Sequence, residues 1–200
     1  MTQLLESVLA LLHRYFILEP FEKGVIIAFI CVTYFLVFTI GFLKKAEWKK
    51  LICLGLLING IFLIYVSTVL SRFPFWNTWE ILRSHSFSYN LIPFHSYVKM
   101  FTGHSNYILE VLFNILVFMP AGFLLPQVCE KITWRAVFIF SFLITLSIEL
   151  MQLFFKCGIF ETDDIIHNVL GCLLGFLLYK RVKALVEAYK KKQEVYNEVE

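Results

Sequence analysis

The chain has 200 residues, of which 59% are hydrophobic and 16% are charged, with a formal net charge of +3. Soluble domains have about a quarter of their residues charged, so this composition excludes an ordinary water-soluble fold. A mean hydropathy of +0.74 and 22 phenylalanines indicate an integral membrane protein. No basic patch is interleaved with stacking aromatic residues, so we expect no nucleic-acid partner.

The first predicted element is an N-terminal helix within residues 1–23. Its leucines recur at helical spacing, but Glu6, His13 and Arg14 interrupt the apolar run. The segment also lacks the basic start and clean apolar core of a cleavable signal peptide. It is too short and too polar to cross a bilayer, so we predict an amphipathic helix that lies in the membrane interface.

Five segments then approach the length of about 20 apolar residues that a membrane-spanning helix needs. They are residues 24–43, 51–71, 107–126, 134–155 and 165–179. The fifth is short, and it spans only if residues 160–164 lie at the membrane edge. The predicted fold is therefore all-α, a polytopic helical membrane bundle of about five transmembrane helices.

These segments divide the chain into regions. Two transmembrane helices within residues 24–71 are followed by an outer loop, 72–106, then by a three-helix core, 107–180, and a basic, polar tail, 181–200. The loop is dense in aromatic residues, which favour the headgroup level. Because it is also apolar and stiffened by Pro93, we expect it to turn back onto the bundle.

Lysine and arginine in short loops predict the orientation. The loop after the first span, the loop after the third span and the tail are all rich in these residues. With five spans all three lie on one side, which the positive-inside rule makes cytoplasmic. We therefore predict a multi-pass protein of the cell membrane with its N-terminus outside and its C-terminus inside.

Polar residues of three spans fall at one depth, at about 1.5 Å per residue. Asn114 lies about 10 Å and Glu149 about 9 Å below the outer surface, with Gln152 about one turn above Glu149. Asp164 lies at the rim and Asn168 about 6 Å below it. A charge at this depth costs about 2.5–3.5 kcal/mol on insertion scales, so we predict a shared acidic, amide-rich pocket that opens outward.

Each of these residues has a structural alternative. Asp163 and Asp164 either cap the fifth helix or bind a ligand through their carboxylates. Capping is not available to Glu149 in mid-span, although a buried, hydrogen-bonded glutamate is. The amides either bind a ligand or hold helices together. Glu149, Asp163 and Asp164 are the candidate catalytic groups, and carboxylate oxygens suit a divalent cation such as magnesium or calcium.

The pattern resembles the VanZ family, membrane proteins associated with resistance to glycopeptides such as teicoplanin. The resemblance covers about residues 85–180 and rests on Asn90–Leu91–Ile92–Pro93–Phe94, Asn114, Phe118, Pro120, Gly122, Leu124–Leu125–Pro126, Ser147–Ile148–Glu149, Gln152, Phe160, Asp163–Asp164, Asn168, Leu170–Gly171 and Gly175. Many family members have an arginine just before the acidic stretch, where this chain has Cys157–Gly158–Ile159, and Glu161 stands where aspartate is common. The resemblance implies a role in glycopeptide resistance.

Three functions follow as hypotheses. In the first, the protein binds a lipid-anchored cell-wall ligand or a lipoglycopeptide. Asn90, Asn114, Gln152 and Asn168 then supply amides, and Glu149, Asp163 and Asp164 supply charge. In the second, it is a metal-dependent enzyme that modifies an envelope lipid or lipid carrier. In the third, it is a non-catalytic accessory subunit of a transport system. The residues leave open whether it is an enzyme.

Overall fold

A computed structural model describes residues 20–72, 87–102 and 106–197. The predicted N-terminal interfacial helix falls almost entirely outside these residues, and so does the part of the outer loop at residues 73–86.

Long helices dominate the described residues, so the predicted all-α membrane bundle is confirmed. The helices are α1 (Pro20–Leu43), α2 (Trp48–Thr68), α3 (His95–Phe101), α4 (Asn106–Val128), α5 (Trp134–Phe155) and α6 (Thr162–Asn197). A 3-10 turn, Leu70–Arg72, extends α2, and the short strands are β1 (Tyr89–Asn90) and β2 (Phe160–Glu161).

Four segments of the described chain are long and apolar enough to cross a membrane. They are Lys23–Leu43, Trp48–Arg72, Tyr107–Val128 and Trp134–Phe155. They match the first four predicted spans to within a few residues at each end. The predicted fifth span lies in α6, whose first turn holds Asp163 and Asp164 and is polar for that reason. A total of five spans stays a prediction.

The outward surfaces of the spans are those of a protein in lipid. Phe35 and Phe42 on α1 are 69% and 85% exposed. Exposure of such large apolar side chains is unfavourable in water but not in the hydrocarbon of a membrane. Further along the chain, α6 continues without interruption past residue 180 to Asn197. The predicted boundary between core and tail is therefore a change in polarity within one helix.

The core of the bundle is the contact between α4 and α6. Phe118 of α4 packs with Cys172 and Phe176 of α6, each at most 4% exposed. A Cβ added to Gly171 or Gly175 would meet the backbone carbonyl of Ile115 or Met119. The two helices therefore approach closely, which small residues at a helix–helix contact allow.

The connections alternate between the two ends of the bundle. Lys50 at the start of α2 forms a 3.1 Å ion pair with Glu130 just after α4, so the α1–α2 and α4–α5 turns share one end. The opposite end carries the α5–α6 turn and the described part of the outer loop, joined by parallel pairing of β1 with β2. The loop thus turns back onto the bundle, and the polar residues cluster at this second end.

Candidate functional site

A cavity of about 300 Å³ opens at this second end, between α2, α4, α5 and α6. Five of the seven predicted site residues line it: Asn114, Glu149, Gln152, Asp164 and Asn168. The other described lining residues are Thr68, Arg72, Tyr107, Glu110, Val117, Phe118, Ile148, Cys157, Gly158, Ile159 and Glu161. Polar groups of three separate helices therefore meet at one place.

Asn114 and Asp164 connect two walls of the cavity. Asn114 Nδ2 on α4 donates a 2.7 Å hydrogen bond to Asp164 Oδ1 in the first turn of α6. The close packing at Gly171 and Ile115, about two turns deeper along α6, holds the two helix backbones near enough for this contact. The bond joins side chains of two different helices, so this pair stabilises the α4–α6 contact at the cavity.

Glu149 is 1% exposed and lies at the C-terminal end of α5. Its Oε2 accepts a 2.9 Å hydrogen bond from the backbone N–H of Glu161. Lys156 ends α5 in the left-handed conformation, with φ of 51°, and this turn directs the chain back across the helix end. The turn thereby places Glu161 over Glu149, and both acids line the same cavity.

Two lining amides join helices. Gln152 Nε2 on α5 donates a 3.0 Å hydrogen bond to the Thr68 carbonyl at the end of α2. Asn168 Nδ2 on α6 donates a 2.7 Å hydrogen bond to Thr145 Oγ1 on α5. Gln152 and Asn168 thus hold helices together, which is one of the two roles considered for the amides from the sequence. Asn168 Oδ1, in contrast, is buried and has no partner among the described residues.

Asp163 does not line the cavity, although Asp164 beside it does. Its Oδ1 accepts a 2.5 Å hydrogen bond from Phe94 N, and its Oδ2 accepts a 2.7 Å bond from Ser96 N. Phe94 has the left-handed φ of 64° and precedes α3. Asp163, 3% exposed, therefore fastens the outer loop to α6.

Asn90 also lies away from the lining residues. Its Oδ1 accepts a 3.3 Å hydrogen bond from Ile92 N, closing a local turn. Its backbone pairs with Glu161 through the two short strands. Asn90 is therefore connected to the site indirectly, because the backbone N–H of its partner Glu161 donates to Glu149. His167, 1% exposed, lies with its Nε2 3.1 Å from the Tyr97 hydroxyl of α3.

The structure adds Arg72 and Glu110 to the site, together with Glu161. Arg72 is visible in the sequence as a basic residue directly after the second span, on the side predicted to be outside, where such residues are depleted. An exception to that rule is a signal that sequence reasoning did not use. Arg72 lines the cavity and interacts electrostatically with Glu149 and Asp164.

The described residues contain no group of three or more His, Cys, Asp or Glu side chains placed to share a metal ion. Burial raises the pKa of the Cys157 thiol on the α5–α6 turn. This thiol is therefore protonated at neutral pH, which is not the reactive form of cysteine.

The fold and the cavity define a multi-pass helical membrane protein with an acidic, amide-lined site at one end of its bundle. The model of the VanZ/LLP1 family matches residues 56–185, a range that contains every lining residue. The chain therefore belongs to the VanZ/LLP1 family. Protein VanZ of Enterococcus faecium is 29% identical over 127 residues, which are 62% of this chain and 74% of that relative. No solved structure gives a significant match.

Proposed function

We propose that this protein contributes to resistance against teicoplanin-type lipoglycopeptides by engaging, at its acidic cavity, a lipid-anchored envelope ligand or the drug itself. The observation that carries the proposal is the meeting of Glu149, Asp164 and Asn168, from two helices, on one cavity. Membership of the VanZ/LLP1 family supplies the connection to glycopeptides.

The size of the cavity limits what it encloses. Sites for small molecules measure about 300–1,000 Å³, and this one is at the lower limit at about 300 Å³. It therefore holds a headgroup or another short polar moiety, while the bulk of a lipid or drug stays outside.

The orientation is part of the proposal. The ion pair of Lys50 with Glu130 lies at the end of the bundle where the lysine-rich turns meet, and the positive-inside rule makes that end cytoplasmic. The cavity then faces the outer leaflet, where cell-wall intermediates and glycopeptides are found. The C-terminus of α6 is then inside, and the chain begins outside if it has five spans.

Drug susceptibility of cells that express Glu149→Gln or Asn168→Ala tests the proposal. Both variants should lower the inhibitory concentration of teicoplanin toward that of cells without the protein, at matched membrane levels. Glu187→Gln, an exposed acid of α6 with only an i,i+4 partner, should leave resistance unchanged. Wild-type resistance in both cavity variants would contradict the assignment.

A second candidate is an enzyme that modifies an envelope lipid or lipid carrier with the help of a divalent cation. Four acidic residues that line one cavity, Glu110, Glu149, Glu161 and Asp164, favour it. Lipid extracts from cells with and without the protein, compared by mass spectrometry, distinguish the two candidates. A new or depleted lipid species supports catalysis, and identical profiles support binding alone.

A further inference from the structure

The ionisable side chains that line the cavity are mostly acidic. Four of the described lining residues are acids, and Arg72 is the one basic side chain among them. Asp164 interacts electrostatically with Glu110, Glu161 and Arg72. Partly desolvated carboxylates are costly without compensating positive charge. A cation in the cavity compensates these carboxylates as they ionise, whereas an anion does not, so the cavity is better suited to a cation.

Asn168 adds an independent observation. Its side chain is only 5% exposed, its amide nitrogen is engaged by Thr145, and its Oδ1 has no hydrogen-bond partner among the described residues. A buried acceptor without a donor costs about 1–3 kcal/mol. Because Asn168 lines the cavity, a ligand that donates a hydrogen bond there removes this cost.

The two observations define the ligand chemistry. An ammonium group carries positive charge, offers three hydrogen-bond donors and has no acceptor. A bare magnesium or calcium ion needs several oxygens within about 2.0–2.6 Å of one point, whereas these acceptors surround a space of about 300 Å³. That volume accommodates a polyatomic group, such as an ammonium with the carbons that bear it.

We propose that the cavity binds the ammonium group of an amine-bearing ligand, with Glu149, Asp164 and Asn168 Oδ1 as acceptors. The inference rests on the proposed function, because it names the ligand class of the same cavity. The amine belongs either to the headgroup of an aminophospholipid or to a soluble amine, and the experiment separates these sources.

The full-length protein in nanodiscs of phosphatidylglycerol supplies the assay. Native mass spectrometry measures the binding of added phosphatidylethanolamine and, as a matched control, phosphatidylcholine, whose trimethylated nitrogen has charge but no donor. A separate arm titrates ethanolamine without added lipid. Phosphatidylethanolamine should bind at least about tenfold more tightly than phosphatidylcholine, a difference of about 1.4 kcal/mol. If ethanolamine alone saturates the site, a soluble amine is sufficient for binding.

Variants test the acceptors. Glu149→Gln and Asp164→Asn should each weaken amine binding at least tenfold. Asn168→Asp, which keeps an acceptor oxygen, should bind as well as or better than wild type, while the nearly isosteric Asn168→Leu should lose binding. Size-exclusion profiles identical to wild type show that the variants fold.

Equal binding of phosphatidylethanolamine and phosphatidylcholine by the wild type, together with no binding of ethanolamine, would overturn the inference. So would loss of amine binding in Asn168→Asp with retention in Asn168→Leu. The drug test is read separately. If amine binding fails while Glu149→Gln still abolishes resistance, the proposed function stands with another ligand class. If amine binding holds while resistance is unchanged, the proposed function is wrong and the amine site remains.

Discussion

The side-chain amide of Asn114 donates a 2.7 Å hydrogen bond to Asp164, 50 residues later in the chain. The bond joins α4 to the first turn of α6 at the cavity. It also fixes the direction of one carboxylate, because Asp164 Oδ1 is held by the amide. The site is thus assembled by the same contact that packs the two helices.

Exchange of the two groups tests this relationship. Asn114→Asp places two carboxylates together and should destabilise the protein by about 1–3 kcal/mol, seen as a lower midpoint of thermal unfolding in detergent. Adding Asp164→Asn restores an amide–carboxylate pair in reverse order, so the double variant should recover most of the loss. A double variant less stable than both single variants would show that the two residues do not interact as described.

The outer loop should depend on Asp163. Asp163→Asn replaces one acceptor oxygen by a donor that faces a backbone N–H, so one of the bonds to Phe94 and Ser96 is lost. Hydrogen–deuterium exchange of the peptide covering residues 88–101 should rise in this variant. Asp164→Asn, one residue later, should leave exchange in that peptide at the wild-type level, since Asp164 contacts Asn114 instead.

Glycines of α6 should not tolerate a methyl group. Gly175→Ala brings a Cβ against the backbone carbonyl of Met119, which cannot retreat without moving α4. We expect a loss of about 1–3 kcal/mol, typical of overpacking. Gly60→Ala in α2 is the matched control, because nothing lies within 4 Å of its added Cβ. A helix-interior alanine there should be neutral or stabilising by about 0.5–1 kcal/mol.

Labelling with a membrane-impermeant maleimide tests the orientation. Ile159→Cys, at a position 52% exposed between α5 and β2, should react in intact cells whose protein lacks other cysteines. A protein whose single thiol is Cys129, exposed just after α4, should react only after permeabilisation. The reverse pattern would place the cavity on the cytoplasmic side.

Depth and helical spacing were sufficient to bring together most of the site. Asn114, Glu149 and Asn168 share a level because α5 runs antiparallel to both α4 and α6 with short connections, and the rise per residue fixes each depth. Composition and helical length predicted the spans. These features depend on one helix at a time or on regular geometry.

The separation of Asp163 from Asp164 was not predictable from depth. Successive residues of a helix point about 100° apart, so one carboxylate faces the outer loop and the other faces the cavity. Which residue takes which direction depends on how α6 is rotated against α4. The positions of Arg72 and Asn90 were also not predictable from depth, because a 3-10 turn and a two-residue strand outside the long helices hold them.

One unbroken helix carries Asp164 at its first turn and extends to Asn197. At about 1.5 Å per residue its 36 residues measure about 54 Å, well beyond the hydrocarbon thickness of about 30 Å. It contains no proline at which to bend. Residues that line the cavity and the lysine-rich stretch about 40 Å away therefore belong to one continuous helix, so the orientation of this helix sets the position of both.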